Sequence, residues 1–199
     1  MPISLDHVAI AATSLAQGVA WVEDRLGVPM AAGGAHAAMG THNRLLSLGP
    51  SEYLEVIAID PAAPPPPRAR WFGLDRFSGP PRPVAWVLRS DDLEAESWPA
   101  AAGPAMALRR GDFTWRITVP DSGLGPFGGL FPALIEWSGP HPAERLPDQG
   151  VRLTGLTLCH PEITALAASL PLRDPRLHFV HEAATLRLTL TTPNGDRQL

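Results

Sequence analysis

One order of elements recurs along this chain, a strand, a helix and then three strands, and a recurrence of that kind limits the folds open to it. In the first copy, residues 3–11 form an apolar run suited to a strand, and Thr13-Ser14 offers a helix cap. Leu15, Val19, Val22 and Leu26 have the spacing of one helix face, with Gly27 at the stop and Pro29 two residues on. Residues 31–40 are small and Gly-rich, which predicts a weak edge strand. Residues 41–48 and 53–59 predict two better ones, ended by Gly49-Pro50 and Asp60-Pro61. In the second copy, residues 83–90 predict a strand, Asp91-Asp92 a cap, and the stretch from Leu93 to Ala102 a short helix. Residues 106–109, 113–119 and 130–137 then predict three strands.

The expected organisation follows from that repeat. Residues 1–61 form a first βαβββ unit, 62–82 a linker opening on a proline-rich run, and 83–140 a second unit. Residues 141–199 form a partial third unit packed on the same domain. Its strands are expected at 153–158, 177–180 and 185–191, with a helix at 161–170 and a turn at Asn194-Gly195. The proline-rich run should be extended and stiff. Trp71-Phe72, which follow it, are expected to anchor the linker rather than to form a ligand platform.

Composition removes several classes of function. All sixteen basic residues are arginine, so no lysine is present for Schiff-base chemistry, a pyridoxal-phosphate anchor or a phosphate-binding loop. The net charge of -4 with no basic run gives no footprint for nucleic acid. Cys159 is the single cysteine, which excludes an internal disulfide and a cysteine-based metal cluster. No apolar run has membrane-spanning length and no signal peptide is legible, so a soluble cytoplasmic protein is expected. Gly-x-Ser-x-Gly, Gly-x-Gly-x-x-Gly after a strand and His-Glu-x-x-His are all absent, and no nucleotide or flavin cofactor is expected.

Chemistry concentrates where a polar side chain interrupts an apolar strand. Strict alternation places Leu5, His7 and Ala9 on one face of the first strand, and Asp6, Val8 and Ile10 on the other. It likewise groups Tyr53, Glu55 and Ile57 opposite Leu54 and Val56. With the helix covering Val8, Ile10, Leu54 and Val56, His7 and Glu55 are left on the concave side. A carboxylate buried there without a partner would cost roughly several kcal/mol, so a metal, an arginine or water should compensate it. Asn43 is a candidate to orient a substrate carbonyl, with strand-edge hydrogen bonding as the alternative. Arg110 is a candidate for an anionic substrate group, with a solvated hairpin end as the alternative. Trp115 is expected in the core or the cleft wall. His141, between two prolines, either aims at the cleft or shapes a connector.

Several stretches together carry a family resemblance: Leu5-Asp6-His7-Val8, Gly40-Thr41-His42-Asn43, Tyr53-Leu54-Glu55-Val56-Ile57, Trp71-Phe72-Gly73-Leu74, and Ile135-Glu136-Trp137 with Pro140-His141-Pro142. The chain resembles the glyoxalase-like domain proteins of the vicinal oxygen chelate (glyoxalase, bleomycin resistance, extradiol dioxygenase) superfamily. The resemblance implies an α+β fold in which repeated βαβββ units form a curled, mostly antiparallel open barrel around a cleft. It also implies metal ligands from the first and last strands of each unit. Carried over, these are His7, Glu55 and Glu136, while the fourth position falls near Ala85, which cannot ligate. His42 or His141 would be the source of a further ligand. One imidazole and two carboxylates suit Mn, Fe, Ni or Zn as divalent ions. Glu55 and Glu136 would then be ligands and candidate general bases for lyase, isomerase or dioxygenase-type chemistry on vicinal oxygens of a small organic molecule. The alternative is a non-catalytic protein that sequesters a small molecule in the same cleft, with His7 and Glu55 as its polar floor. Homodimer formation is compatible with either reading, because this fold often completes its cleft between chains.

Overall fold

The structure, a computed structural model, describes residues 3–94, 102–170 and 172–199. The first unit comprises β1 (Ser4–Ala11), α1 (Leu15–Leu26), β2 (Ala31–His36), β3 (Thr41–Ser47) and β4 (Tyr53–Ile59). The Ser14 side chain caps α1 by accepting the Gln17 N–H, and Gly27, at φ 70°, closes it by donating to the Glu23 carbonyl. The second unit supplies β5 (Arg82–Arg89), β6 (Ala105–Arg110), β7 (Phe113–Thr118) and β8 (Ala133–Trp137). The helix expected between Leu93 and Ala102 lies largely outside the described residues.

These strands make one eight-stranded sheet in the order β2-β3-β4-β1-β5-β8-β7-β6. Each unit pairs its first strand with its last in parallel, and β1 and β5 join the units antiparallel. The sheet curls into a nearly closed barrel whose outermost strands, β2 and β6, approach one another. Its interior is filled by Ala9, Ile57, Val87, Leu108, Trp115 and Ile117 with Trp71 and Leu74. Trp71 and Leu74 come from the 3-10 turn Trp71–Arg76 that follows the proline-rich run. Arg68 ties that connector to the second unit by donating to the Val119 and Pro120 carbonyls. Gly123 is required where the connector crosses, since a Cβ there would lie 2.0 Å from the Arg70 carbonyl oxygen.

The remaining strands are β9 (Arg152–Cys159), β10 (Leu177–Val180), β11 (Thr185–Thr192) and β12 (Gly195–Gln198), with α2 (Ile163–Ser169) between β9 and β10. They form a second sheet in the order β10-β9-β11-β12. The Asn194-Gly195 turn leads into β12, a strand not expected from the sequence. Here β9 pairs in parallel with the strand directly after the helix, whereas β1 and β5 pair with the last strand of their units. This C-terminal segment repeats the order of elements without repeating their pairing. It shares a core with the barrel's outer face: Leu153, Leu156, Leu158, Leu186 and Leu188 pack with Val8, Ile10, Trp86 and Leu88, next to Val22 and Leu26 of α1. Arg176 adds a fork to Glu52, both bonds 2.7 Å, tying this segment to the β3–β4 turn.

Candidate functional site

The floor of the site is built by an irregularity in β1. Pairing with β5 slips between Leu5 and His7, as it does where an extra residue is inserted into one strand. Leu5, Val8 and Ile10 therefore pack together on the outer face. Asp6 and His7 both leave that face, with Ala9 and Ala11 following in the barrel interior. This corrects the strict alternation, which puts Asp6 with Val8 and Leu5 with His7.

Asp6 has no solvent exposure and accepts three hydrogen bonds. They come from His7 Nδ1 at 2.6 Å, His141 Nε2 at 2.9 Å and Trp137 Nε1 at 3.0 Å. Burial by itself would raise the Asp6 pKa, but the bonds and positive potential from His141 and His7 outweigh it and hold the carboxyl well below the usual range. His141 Nδ1 accepts the Ala143 N–H at 3.2 Å, so the proton of this ring sits on Nε2, facing Asp6. His141 is thus buried behind the floor and bonded to the carboxylate; the pocket lining does not include it. His141 therefore does not aim into the cleft; it holds Asp6 from behind.

With Nδ1 donating to Asp6, His7 turns Nε2 toward Glu55 Oε2, 3.6 Å away. The Tyr53 ring stacks on His7 with centroids 4.5 Å apart. Burial, and then the Asp6 and Glu55 charges, push the Tyr53 phenol well up, so it remains neutral. Glu55 is gripped on its other oxygen by Asn43, whose Nδ2 donates to Oε1 at 2.5 Å. Asn43 Oδ1 in turn accepts the Gly34 N–H at 2.8 Å. The wrap around Asn43 needs small residues. Pairing of β2 with β3 slips between Ala32 and Ala35, and a Cβ on Gly33 would lie 2.2 Å from Asn43 Oδ1. The Gly-rich stretch that predicts a weak edge strand is the cradle of this amide.

A third buried imidazole completes the polar row. His36 Nδ1 bonds Thr41 Oγ1 at 3.1 Å, while Nε2 meets Arg110 Nη1 at 3.3 Å and Asn43 Nδ2 at 3.4 Å. Burial first, then the charge of Arg110, lowers the His36 pKa to about 3. Neutral His36 therefore donates from Nδ1 and accepts at Nε2. Arg109 donates to the Gly111 carbonyl at the exposed hairpin. His42 stands 4.0 Å from Asp60 and is not among the residues lining the pocket.

The resulting pocket encloses about 330 Å³, its open mouth included. His7, Glu55, His36 and Arg110 are its polar lining; Tyr53, Trp71, Phe72, Trp115 and Trp137 are its aromatic walls. The structure thus brings together His7, Glu55, Asn43, Arg110 and Trp115. Asp6, His36, Tyr53 and Trp71 are additions. The signal for Asp6 is present in the sequence, since two adjacent polar residues inside an apolar strand mark a candidate bulge.

Glu136 is not brought to this place. Its neighbours Ile135 and Trp137 line the pocket, and its own carboxylate turns the other way. There it accepts the Leu93 N–H at 2.8 Å and Arg116 Nη2 at 3.2 Å. The cause is the register of β8. In the first unit His7 opposes Val87 and Ala9 opposes Ala85, a two-fold exchange that makes Ala85 the counterpart of His7. The slip at Leu5/His7 is matched by one at Ala9/Ile10, making Val84 the counterpart of Asp6. Ala9 pairs with Glu55 and Val87 with Ala133, so Ala133, not Glu136, is the counterpart of Glu55. Ala85 and Ala133 line a neighbouring apolar pocket of about 380 Å³ that shares Trp71 and Phe72 as a wall.

This arrangement does not fit the divalent ion that the resemblance implies. The first unit offers His7 and Glu55, while the second offers methyl groups at the equivalent positions. Among the described residues no group of three His, Cys, Asp or Glu side chains is placed to hold a metal. The expected set of His7, Glu55 and Glu136 is corrected accordingly.

The Glyoxalase-like domain family matches residues 5–172. No curated protein matches the chain. Among solved structures, a hypothetical protein from Staphylococcus aureus aligns with a TM-score of 0.58 at 12% identity, covering 100% of this chain and 84% of that one. Methylmalonyl-CoA epimerase from Mycobacterium tuberculosis aligns with a TM-score of 0.45 at 21% identity, covering 68% of this chain and 88% of that one. The Streptomyces coelicolor epimerase gives 0.46 at 15% identity, covering 68% and 97%. The family match spans most of the sequence and agrees with the paired units of the barrel: this chain belongs to the Glyoxalase-like domain family.

Proposed function

We propose that the protein binds a small organic carbonyl compound in the His7–Glu55 pocket and moves a proton on it, as an isomerase or lyase would, without routing the step through a metal. One observation carries this reading. His7 Nε2 and Glu55 Oε2 face each other across 3.6 Å at the pocket floor, each held from behind, by Asp6 and by Asn43. In the step, Glu55 takes a proton from carbon next to the carbonyl and the C–H electron pair passes into the carbonyl. His7 Nε2, which carries no proton while Nδ1 donates to Asp6, accepts that proton from Glu55 and passes it to the oxygen, forming the enol. Return of a proton to the same carbon, with the enol proton passing back to His7, completes exchange or epimerisation; in the enediol of a 2-hydroxy ketone, protonation of the neighbouring carbon with loss of the other hydroxyl proton to His7 completes an isomerisation. The residues lining the pocket come from one chain, and a homodimer is compatible with this reading. A cytoplasmic setting suits the buried free thiol of Cys159.

The test is deuterium uptake in D₂O, followed by proton NMR, on a panel of 2-oxo acids, 2-hydroxy ketones and 1,3-diketones. The wild type should accelerate exchange of at least one compound, and Glu55→Gln should lower that rate about 100-fold or more. A second reading, sequestration without turnover, draws on the five aromatic walls and on the alanines that take the places of His7 and Glu55 in the second unit. Ligands that bind and quench tryptophan fluorescence yet exchange only at the buffer rate, with wild type and Glu55→Gln alike, would refute proton transfer and leave sequestration.

A further inference from the structure

The eight-stranded sheet ends in two outer strands that do not close it into a full barrel. β2 and β6 are the two outer strands of the sheet, and they approach without pairing. The Arg110 side chain lies in that seam, against Gly34, where a Cβ would come within 2.8 Å of Arg110 Cδ. Arg110 lines the inner pocket and also an outer groove of about 1010 Å³ bordered by Gly33, Gly34, Phe113 and Arg145. It therefore stands between the groove and the pocket.

The electrostatics of that position are one-sided. Arg110 has no carboxylate within ion-pair distance among the described residues, and its polar partner there is the neutral Nε2 of His36. Its guanidinium also lies 5.5 Å from the Phe113 ring centroid, with Arg145 at 4.9 Å from the same ring. Arg145 is engaged by Asp112 at 3.2 Å, so among the described residues Arg110 is the arginine of this groove without a carboxylate partner. A neutral imidazole orients the guanidinium without cancelling its charge, and the rest of the fork remains available for two parallel bonds to one anion. The links Arg110–His36, His36–Asn43 and Asn43–Glu55 connect the cation to the Glu55 carboxylate through two intervening side chains.

We propose that the β2–β6 seam is the ligand entrance and that Arg110 selects small organic acids, holding a carboxylate at the mouth while the unsaturated body lies between the aromatic walls with its far end toward His7 and Glu55. The proposal deepens the proton-transfer reading and rests on its pocket, but it concerns recognition rather than turnover.

The probes are benzoate and its uncharged isostere benzamide, titrated against the full chain by tryptophan fluorescence and ligand-observed NMR. Benzoate should bind at least about tenfold more tightly than benzamide to the wild type. Arg110→Gln should bring that ratio to near one, and Arg110→Lys should retain part of it. Arg109→Gln, altered at the exposed hairpin, should leave it unchanged. Equal binding of both probes, no binding of either up to the solubility limit, or a ratio that survives Arg110→Gln would overturn the proposal. Charge selection lost in Arg110→Gln with no exchange in the deuterium assay would leave it standing while refuting proton transfer; exchange without charge selection would do the reverse.

Discussion

Replacing Asp6 tests the floor of the pocket most directly, because its three donors differ in what they can do next. Trp137 Nε1 can only donate, and His141 must donate from Nε2 because its Nδ1 is occupied by the Ala143 N–H. His7 alone can exchange its tautomer. In Asp6→Asn the amide oxygen must serve His141 and Trp137, which turns the amide NH₂ toward His7 Nδ1. His7 then carries its proton on Nε2, facing Glu55 as a donor, and can no longer accept a proton there. Trading charge-assisted bonds for neutral ones should cost about 1–3 kcal/mol in total. Asp6→Ala leaves the His141 and Trp137 donors without an acceptor, at about 1–3 kcal/mol each, a large part of the stability of a domain. Urea denaturation gives the energies, and two-bond ¹H–¹⁵N correlation of the histidine rings gives the tautomer. If His7 keeps its proton on Nδ1 in Asp6→Asn, or if Asp6→Ala is as stable as Asp6→Asn, the argument that Asp6 sets the His7 tautomer is wrong.

Two further predictions follow from the polar row. Gly33→Ala forces a Cβ to within 2.2 Å of Asn43 Oδ1 and should destabilise the fold by about 1–3 kcal/mol, read as a lower urea midpoint. An unchanged midpoint would mean that the strand does not wrap Asn43 tightly. His36, with its pKa lowered from 6.5 to about 3, binds fewer protons folded than unfolded across that interval. Its contribution is intact above about pH 6.5 and falls away as the pH drops toward 3, by up to several kcal/mol. His36→Gln should flatten that part of the stability–pH curve; a curve of the same slope in both proteins would refute the assignment.

Glu136 shows how far local pattern carries and where it stops. Leu54-Glu55-Val56 and Ile135-Glu136-Trp137 look equivalent in sequence, yet the two glutamates lie on opposite sides of the barrel wall. Side-chain alternation within a strand is local, but its phase relative to the cleft depends on pairing with strands far along the chain. The same holds for Asp6, whose side is decided by a slip against β5, and for Arg110, which meets His36 across a seam between strands 74 residues apart.

The sequence by itself determined the repeated units, the caps of α1 at Ser14 and Gly27, the family, and the polar pair of His7 and Glu55. Each of these is written in periodicity, in turn chemistry or in motifs within one segment. Only the tertiary structure decided which residues join that pair. Bulges and register are settled by packing the two units around their shared two-fold, and that packing sets Asp6, Asn43 and His36 around the pocket and leaves Ala85 and Ala133 where further donors would stand.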